Sequence, residues 1–320
     1  MKRRFPKRYF ALALALVVVV PVLFRQLVPI QPRHYDGVTL DEVRYTEVAF
    51  RNTTDDLDLA GMLFVPDGDG PFPTAVIIHG SGTSNRQNRW YLTLTEHLQD
   101  NGIAVLLPDK RGSEQSGGNW QSADFEDLAT DTLAAIEFMR EQDAVELSDL
   151  GIIGMSQGGW IAPIVAREFA DLDFIVSMVG SAVTPNEQLL YEENYNLQQI
   201  GFLPGVSHAI ALMSTQYVRH VRMPAFYDAV GEFDPVPLWE ATPVRALVLL
   251  GAADTNVPSQ RSAARIEALG KDTIEVVVYE GSGHALQDPP GQGDRLIRGE
   301  ALDAIARFIL RSPAGTGSYN

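Results

Sequence analysis

The chain has 320 residues, of which 45% are hydrophobic and 21% charged, as in globular proteins with a large apolar core. Its formal net charge is −16, and the seven basic residues of the first 33 lie in a stretch without Asp or Glu. The remainder therefore carries 18 basic against 41 acidic residues, which argues against nucleic-acid binding. The absence of cysteine excludes disulfides, thiol catalysis and cysteine-bound zinc.

The N-terminal segment, residues 1–30, joins five basic residues to an apolar run from Tyr9 to Phe24. This pattern is typical of an export signal, and no small-x-small cleavage site follows Phe24. We therefore expect an uncleaved membrane anchor and an extracytoplasmic body, with a cleaved secretion signal as the alternative. Residues 31–42 predict a linker.

The body begins with a predicted hairpin and continues as short buried strands that alternate with helices. This alternation is typical of an α/β fold whose mostly parallel, doubly wound sheet has helices on both faces. The predicted strands are 43–50, 57–65, 74–78, 103–107, 150–153, 174–179, 244–250 and 274–279, and the predicted helices are 86–101, 122–142, 157–169, 259–269 and 296–310.

The alternation stops between residues 179 and 244, a stretch too long for a connection inside a compact unit. We interpret residues 184–240 as a helical cap, with one extra packed crossover as the alternative. The core then comprises 43–183 and 241–311, followed by a flexible tail at 312–320. The cap residues expected to form an apolar pocket are Leu189, Leu190, Tyr191, Tyr195, Leu197, Phe202, Leu203 and Phe226.

The motif Gly154-Met155-Ser156-Gln157-Gly158 lies between a predicted strand and a predicted helix. Gly-x-Ser-x-Gly in this setting indicates a nucleophile elbow, whose sharp turn leaves no room for side chains two residues before and after the serine. Ser156 is therefore the candidate nucleophile. The turn also directs the first amides of the helix, including that of Gln157, at a reacting carbonyl.

A serine hydroxyl needs a base, and the base needs an orienting carboxylate. His284 follows the predicted strand 274–279 in a Gly-rich loop, and Asp254 follows the strand 244–250. Both lie at carboxyl ends of parallel strands, where sites of doubly wound sheets are found. We predict Ser156, Asp254 and His284 as a catalytic triad in that chain order.

Two further loops follow predicted strands at the same edge. His79-Gly80-Ser81-Gly82 offers a backbone N–H to a developing oxyanion. We expect that of Ser81, with Gly82 as the alternative, paired with the N–H of Gln157. His79 is expected to hold this loop rather than to act as a second base. In the loop that begins Asp109-Lys110-Arg111-Gly112, Arg111 is expected to be a structural ion-pair partner.

These motifs resemble the α/β-hydrolase superfamily over about residues 43–310, and within it bacterial esterases and thioesterase-like relatives. The resemblance implies the α/β-hydrolase fold, ester hydrolysis through an acyl-enzyme, a small-molecule ester substrate and no cofactor. Arg86 lies where such esterases often carry an arginine after His-Gly-Ser-Gly. Glu114 lies where the Asp-x-Arg-Gly loop usually has glycine.

Several other functions are weaker. A peptidase or a thioesterase of the same fold would use the same triad, but prolyl-oligopeptidase-like enzymes usually carry an N-terminal propeller, for which the residues before the first strand are too few. An inactive binding module would not need an intact triad. A metal or nucleotide site has no support, because neither His-Glu-x-x-His nor Gly-x-x-x-x-Gly-Lys occurs.

Overall fold

The computed structural model describes residues 33–141 and 145–311. The predicted anchor, the start of the predicted linker and the predicted tail lie outside the described residues and stay predictions. No helix in the described part is long and apolar enough to cross a membrane. Within the described linker, Leu40–Glu42 form a 3₁₀ turn, and Asp36 forms a parallel bridge with Arg295.

A single eight-stranded sheet organises the described part of the chain, with strand order β1-β2-β4-β3-β5-β6-β7-β8. The hairpin β1–β2 is antiparallel and β2 pairs antiparallel with β4, whereas all pairs from β4 to β8 are parallel. The mostly parallel sheet expected from the sequence is thus present. The strands are β1 (Thr46–Asn52), β2 (Leu57–Phe64), β3 (Phe72–Ile78), β4 (Ala104–Pro108), β5 (Leu147–Met155), β6 (Phe174–Met178), β7 (Arg245–Gly251) and β8 (Ile274–Tyr279).

Helices cover both faces of the sheet. Parallel strands all begin at the same end of the sheet, so the chain must run back across one face between them, and it does so as a helix. The helices that connect strands are α1 (Arg89–Asp100), α2 (Phe125–Glu141), α3 (Gly158–Glu168) and α8 (Ser259–Glu267), and α9 (Gly299–Leu310) follows the last strand. The helical insert between β6 and β7 contains α4 (Pro185–Gln199), α5 (Pro204–Tyr217), a π-helical turn (Val218–Arg222), α6 (Pro224–Val230) and α7 (Val236–Ala241).

The core consists of two apolar layers, one on each face of the sheet. Strand β3 shows the alternation, since Val76 and Ile78 belong to one layer and Ala75 and Ile77 to the other. The first layer includes apolar residues of α2, α3 and α8, and the second those of α1 and α9. Burial on both faces explains why the central strands are continuous apolar runs in the sequence.

The helical insert begins where the sequence encodes a strong helix start. Thr184 and Glu187 form a capping box around α4, and Pro185 occupies its first turn. The insert contacts the main body through aromatic residues, including Phe226 of α6, which lies edge-on to Phe125 of α2. A cavity is enclosed between the insert and the carboxyl edge of the sheet.

Candidate active site

The turn between β5 and α3 carries Ser156 in a left-handed conformation, with φ of 53°. Its backbone N–H donates to Met178 O of the neighbouring strand at 2.9 Å. A Cβ on Gly154 would lie 2.3 Å from Gly158 O, and one on Gly158 would lie 2.4 Å from Ile78 O. These approaches confirm the steric reason for glycine at both positions. The strained serine is held by backbone contacts on two sides.

Three predicted residues from three different strand ends meet in one chain of hydrogen bonds. His284 Nε2 lies 2.9 Å from Ser156 Oγ, and His284 Nδ1 lies 2.8 Å from Asp254 Oδ2. Because an ionised carboxylate only accepts, Nδ1 carries the proton of a neutral imidazole and Nε2 is left to accept from the serine hydroxyl. The structure thus brings together the three residues that the sequence predicts as a triad.

Asp254 is buried, and both of its carboxylate oxygens are engaged. Oδ1 accepts hydrogen bonds from the backbone N–H groups of Asn256 and Val257 at 2.8 and 3.0 Å, while Oδ2 faces His284. The Tyr191 hydroxyl of α4 donates to the backbone carbonyl of Asp254 at 2.7 Å. This contact ties the helical insert to the loop that carries the carboxylate. Sequence reasoning missed it, since nothing in a sequence singles out the partner of a tyrosine on an insert helix.

The loop after β3 approaches Ser156 from the other side. The N–H of Gly80 donates to the hydroxyl of Tyr91 at 2.9 Å, and burial raises the pKa of that hydroxyl to about 12. Ser81, Gly82 and Gln157 line the same cavity as Ser156. Among the described residues, the backbone N–H groups of Ser81 and Gln157 donate to no protein acceptor. They are available to a ligand beside the serine.

His79 lies outside the hydrogen-bonded chain, as expected. Its ring is buried against Tyr91, and Nε2 lies 2.5 Å from Pro108 O at the end of β4. Burial, the largest influence, lowers the pKa of His79 to about 4, so the ring is neutral and Nε2–H donates to that carbonyl. His79 thereby links the loops after β3 and β4.

The loop after β4 is held by two arginine networks, of which that of Arg111 is the more buried. Arg111 pairs with Asp55 and Asp131 at 2.6 Å each, which confirms the prediction of a structural ion pair. Arg86 pairs with Asp109 at 2.7 Å and with Glu47 at 2.8 Å. These pairs fix the conformation of the loop that runs beneath the site.

The other cation of the loop after β4 was missed by sequence reasoning. Lys110 is 7% exposed, and its Nζ donates to Gly80 O at 2.8 Å and to Gln157 Oε1 at 2.7 Å. The available signal was its position two residues after a strand that ends at the site edge. Because lysines in loops are mostly exposed, that signal carries little weight in a sequence.

The cavity next to Ser156 has a volume of about 860 Å³, within the range of small-molecule sites. The insert contributes Leu189 and Phe226 from the predicted apolar set, but also Glu192, Glu193 and Arg222. Two of the eight apolar cap residues expected over the site thus line the cavity, together with charged side chains. The insert helices turn a mixed face, rather than an apolar one, toward the serine.

Glu192 is a cavity carboxylate that interacts electrostatically with the triad. Its pKa is raised, first by burial and then by the charge of neighbouring Glu193. Glu193 has a protein partner, because the hydroxyl of Ser214 donates to it at 2.7 Å. Across residues 33–141 and 145–311, no group of three or more His, Asp or Glu side chains is placed to hold a metal ion.

Solved structures with the same architecture support the fold assignment. The chain resembles the structure of DcsB bound to a substrate analogue, with a TM-score of 0.63 and 19% identity, over 85% of this chain and 100% of that one. It also resembles the esterase Pf2001 of Pyrococcus furiosus, with a TM-score of 0.60 and 19% identity, over 87% and 95% of the two chains. These likenesses show the α/β-hydrolase fold.

Two family models match overlapping parts of the chain, and together with these structures they place it in the α/β-hydrolase superfamily. The dienelactone hydrolase family matches residues 59–198, and the C-terminal domain of BAAT and acyl-CoA thioester hydrolases matches residues 133–291. Esterase EstD of Thermotoga maritima is 22% identical over 275 residues, covering 79% of this chain and 66% of that protein. The peroxisomal succinyl-coenzyme A thioesterase of Mus musculus is 24% identical over 246 residues, covering 71% and 52%. The chain thus spans roughly half to two thirds of these curated relatives.

Proposed function

We propose that this chain is a serine hydrolase that cleaves carboxylic esters through an acyl-enzyme on Ser156. One observation carries the proposal: the continuous path from Ser156 Oγ through His284 to Asp254, with distances of 2.9 and 2.8 Å. A neutral imidazole at hydrogen-bond distance is what a serine needs to become a nucleophile at neutral pH.

In the first half-reaction, Ser156 Oγ attacks the ester carbonyl carbon while its proton moves to His284 Nε2. The negative charge that develops on the carbonyl oxygen is bound by the N–H groups of Ser81 and Gln157. Collapse of this tetrahedral species breaks the bond to the alcohol oxygen, and His284 returns its proton to the departing alcohol. The acyl group remains on Ser156.

In the second half-reaction, water replaces the alcohol and the same residues act in reverse. His284 takes a proton from water, whose oxygen attacks the acyl carbon and forms a second oxyanion in the same hole. Breaking the bond to Ser156 Oγ releases the carboxylic acid, and the serine recovers its proton from His284. Asp254 stays ionised throughout and stabilises the imidazolium formed in each half.

Uncharged esters of short to medium length suit the cavity better than acyl-CoA thioesters. Glu192 and Glu193 line the cavity against a single arginine, Arg222, and the chain as a whole carries a net charge of −16. The polyanionic phosphates of coenzyme A meet repulsion in this setting. The thioesterase relatives nevertheless make thioesters the second substrate class to be measured, with peptide amides third.

The decisive experiment replaces the nucleophile. We expect Ser156→Ala to lower kcat toward nitrophenyl esters by about 10⁶-fold and to abolish labelling by a fluorophosphonate probe, because no other group can form the acyl-enzyme. Ser148→Ala is the matched control: it removes an exposed serine at the opposite end of the same strand, β5. A folded Ser156→Ala protein that kept several per cent of the activity would refute the assignment.

The substrate class is measured separately. We expect kcat/KM to fall from nitrophenyl esters through acyl-CoA thioesters of equal acyl length to aminoacyl nitroanilides. Each methylene buried in the cavity adds about 0.8 kcal/mol of binding, so efficiency should rise with acyl length until the cavity is full. A preference for thioesters or anilides would keep the triad but replace the proposed substrate.

A further inference from the structure

Lys110 hydrogen-bonds to both segments that carry the proposed oxyanion donors, the N–H groups of Ser81 and Gln157. One of its hydrogen bonds goes to the backbone carbonyl of Gly80, which precedes Ser81, and the other to the side chain of Gln157, which follows Ser156. Both acceptors are uncharged. The ammonium group is therefore buried without direct neutralisation, an arrangement that costs free energy and calls for a reason.

The first bond acts on the Ser81 donor through peptide geometry. The Gly80 carbonyl and the Ser81 N–H belong to one planar peptide group, in which a trans bond points the C=O and the N–H in opposite directions. An ammonium that holds Gly80 O from below the loop therefore directs the Ser81 N–H away from itself. A cation on the carbonyl also polarises the peptide and strengthens its N–H as a donor.

The second bond acts on the Gln157 donor. Lys110 anchors the Gln157 side chain, which is 6% exposed, and with it the residue whose backbone N–H is the second donor beside Ser156. The backbone of Lys110 is itself fixed, since its N–H donates to Ser84 Oγ at 3.0 Å. One side chain on a fixed loop thus sets the distance between the two donors.

We propose that Lys110 is a positioning residue of the oxyanion hole, which holds the Ser81 and Gln157 donors in register and places a positive charge behind them. The inference rests on the proposed function, because an oxyanion forms only if Ser156 attacks a carbonyl. Lys110 does not line the cavity, and its ammonium group bonds to no triad residue, so we expect its effect on kcat rather than on KM.

The charge of Lys110 makes this role sensitive to pH. Burial lowers the pKa of Lys110 to about 7, while Asp131, which faces it from α2, works in the opposite direction. His79, just after β3, is neutral because its own pKa is about 4, and the buried carboxylate of Asp109 is paired with Arg86. The ring of Trp120 lies 5.8 Å from Nζ. The charge is present below pH 7 and is lost as the pH rises through that value.

The test is Lys110→Met, which keeps the length of the side chain and removes the charge and both hydrogen bonds. Loss of one direct oxyanion donor costs about 10²–10³ in kcat, so we expect a decrease of about 10- to 100-fold with KM nearly unchanged. Affinity for an alkyl boronic acid, which forms a tetrahedral adduct on the serine, should fall by a similar factor. Lys110→Gln, which keeps one donor without the charge, should lie between.

The matched control is Lys271→Met. Lys271 also donates to backbone carbonyls, those of Trp239, Glu240 and Thr242. It lies just before β8, at the amino ends of the parallel strands and so on the side of the sheet away from Ser156. Its replacement should lower Tm without changing kcat. In the wild-type enzyme, kcat at saturating ester should decline between pH 7 and 9, and this decline should be absent from Lys110→Met.

The outcomes are distinct. Wild-type kcat and boronic-acid affinity in folded Lys110→Met, with only Tm reduced, would overturn the inference and leave the proposed function standing. If Lys110→Met does not fold, Lys110→Gln and the wild-type pH profile decide, and a kcat that stays level from pH 7 to 9 with an unimpaired Lys110→Gln overturns it. A wild-type protein whose Ser156 is neither labelled nor active would refute the proposed function itself.

Discussion

The carboxylate of Asp254 uses both of its oxygens. Oδ1 accepts hydrogen bonds from two backbone N–H groups, and Oδ2 accepts one from His284. An asparagine here must therefore point its NH₂ group either at the backbone donors or at His284. With its oxygen kept on the backbone, an asparagine side chain would present N–H to Nδ1 and favour the wrong imidazole tautomer. We expect Asp254→Asn to retain the fold and lose about 10⁴-fold in kcat.

Steady-state kinetics on a nitrophenyl ester, together with Tm, measures this loss. The control is Asp234→Asn, because Asp234 also uses both oxygens, toward the N–H of Val236 and toward Arg265, but lies outside the catalytic loop. Near-normal turnover in Asp254→Asn would show that another carboxylate, such as Glu280 or Asp288, supports His284.

Single residues were predictable where a local motif and a strand end coincided. Ser156, Asp254 and His284 each follow closely on a strand that could be read from the sequence, and parallel strands place their carboxyl ends at one edge. Lys110 and Tyr191 were not predictable, because their partners are fixed by how loops and helices dock. Glu114 was noticed in the sequence as a departure from glycine, but its conformation is seen only in the structure. Its φ of 49° explains why related loops use glycine there, which has no steric penalty in this conformation.

At the scale of elements, helix α4 places both apolar and acidic side chains in the cavity lining. Glu192 lies on the face of this helix that lines the cavity, on the same side as Ser156. We expect Glu192→Gln to raise kcat/KM for an ester with a carboxylate at the end of its acyl chain by about fivefold relative to a neutral ester. A repulsion of about 1 kcal/mol, as between partly screened charges, corresponds to that factor.

The measurement compares nitrophenyl hemisuccinate with nitrophenyl butyrate. Glu232→Gln serves as the control, because Glu232 also lies in the helical insert but is exposed and does not line the cavity. An unchanged ratio of the two substrates in Glu192→Gln would show that the acyl chain does not approach this carboxylate.

The elements themselves were largely predictable, and their orientations were not. The predicted strand at 274–279 matches β8 residue for residue, and other boundaries shift by a few residues, since periodicity does not define where pairing stops. In the insert, Leu203 was expected over the site but is 71% exposed. An amphipathic pattern shows that a helix has an apolar face, but the docking angle decides what that face covers.

At the scale of the whole molecule, the order of strands was beyond the reach of composition and periodicity. The sequence indicates a hairpin followed by alternating strands and helices, but not that β3 inserts between β4 and β5. The residue pattern predicts only an α/β class with a mostly parallel sheet. The α/β-hydrolase fold itself was implied by the resemblance of the motifs.

The same topology determines the stage of folding at which the active site assembles. Ser156 and His284 are 128 residues apart along the chain, and the helical insert lies between them. Closing such a distance has an entropic cost that only the paired sheet offsets, and long-range pairing is the slow part of folding. No early collapsed species can hold the imidazole at the serine, so chemical reactivity is a late property of the refolding chain.

We therefore expect that, after dilution from denaturant, fluorophosphonate labelling of Ser156 rises together with the slowest change in tryptophan fluorescence. Trp160 and Trp239, both buried, report that change. The Ser156→Ala protein, refolded in parallel, gives the background of labelling. Labelling that preceded the fluorescence change would mean that the strands around the serine assemble as an independent unit, and that the last elements to dock have no part in its reactivity.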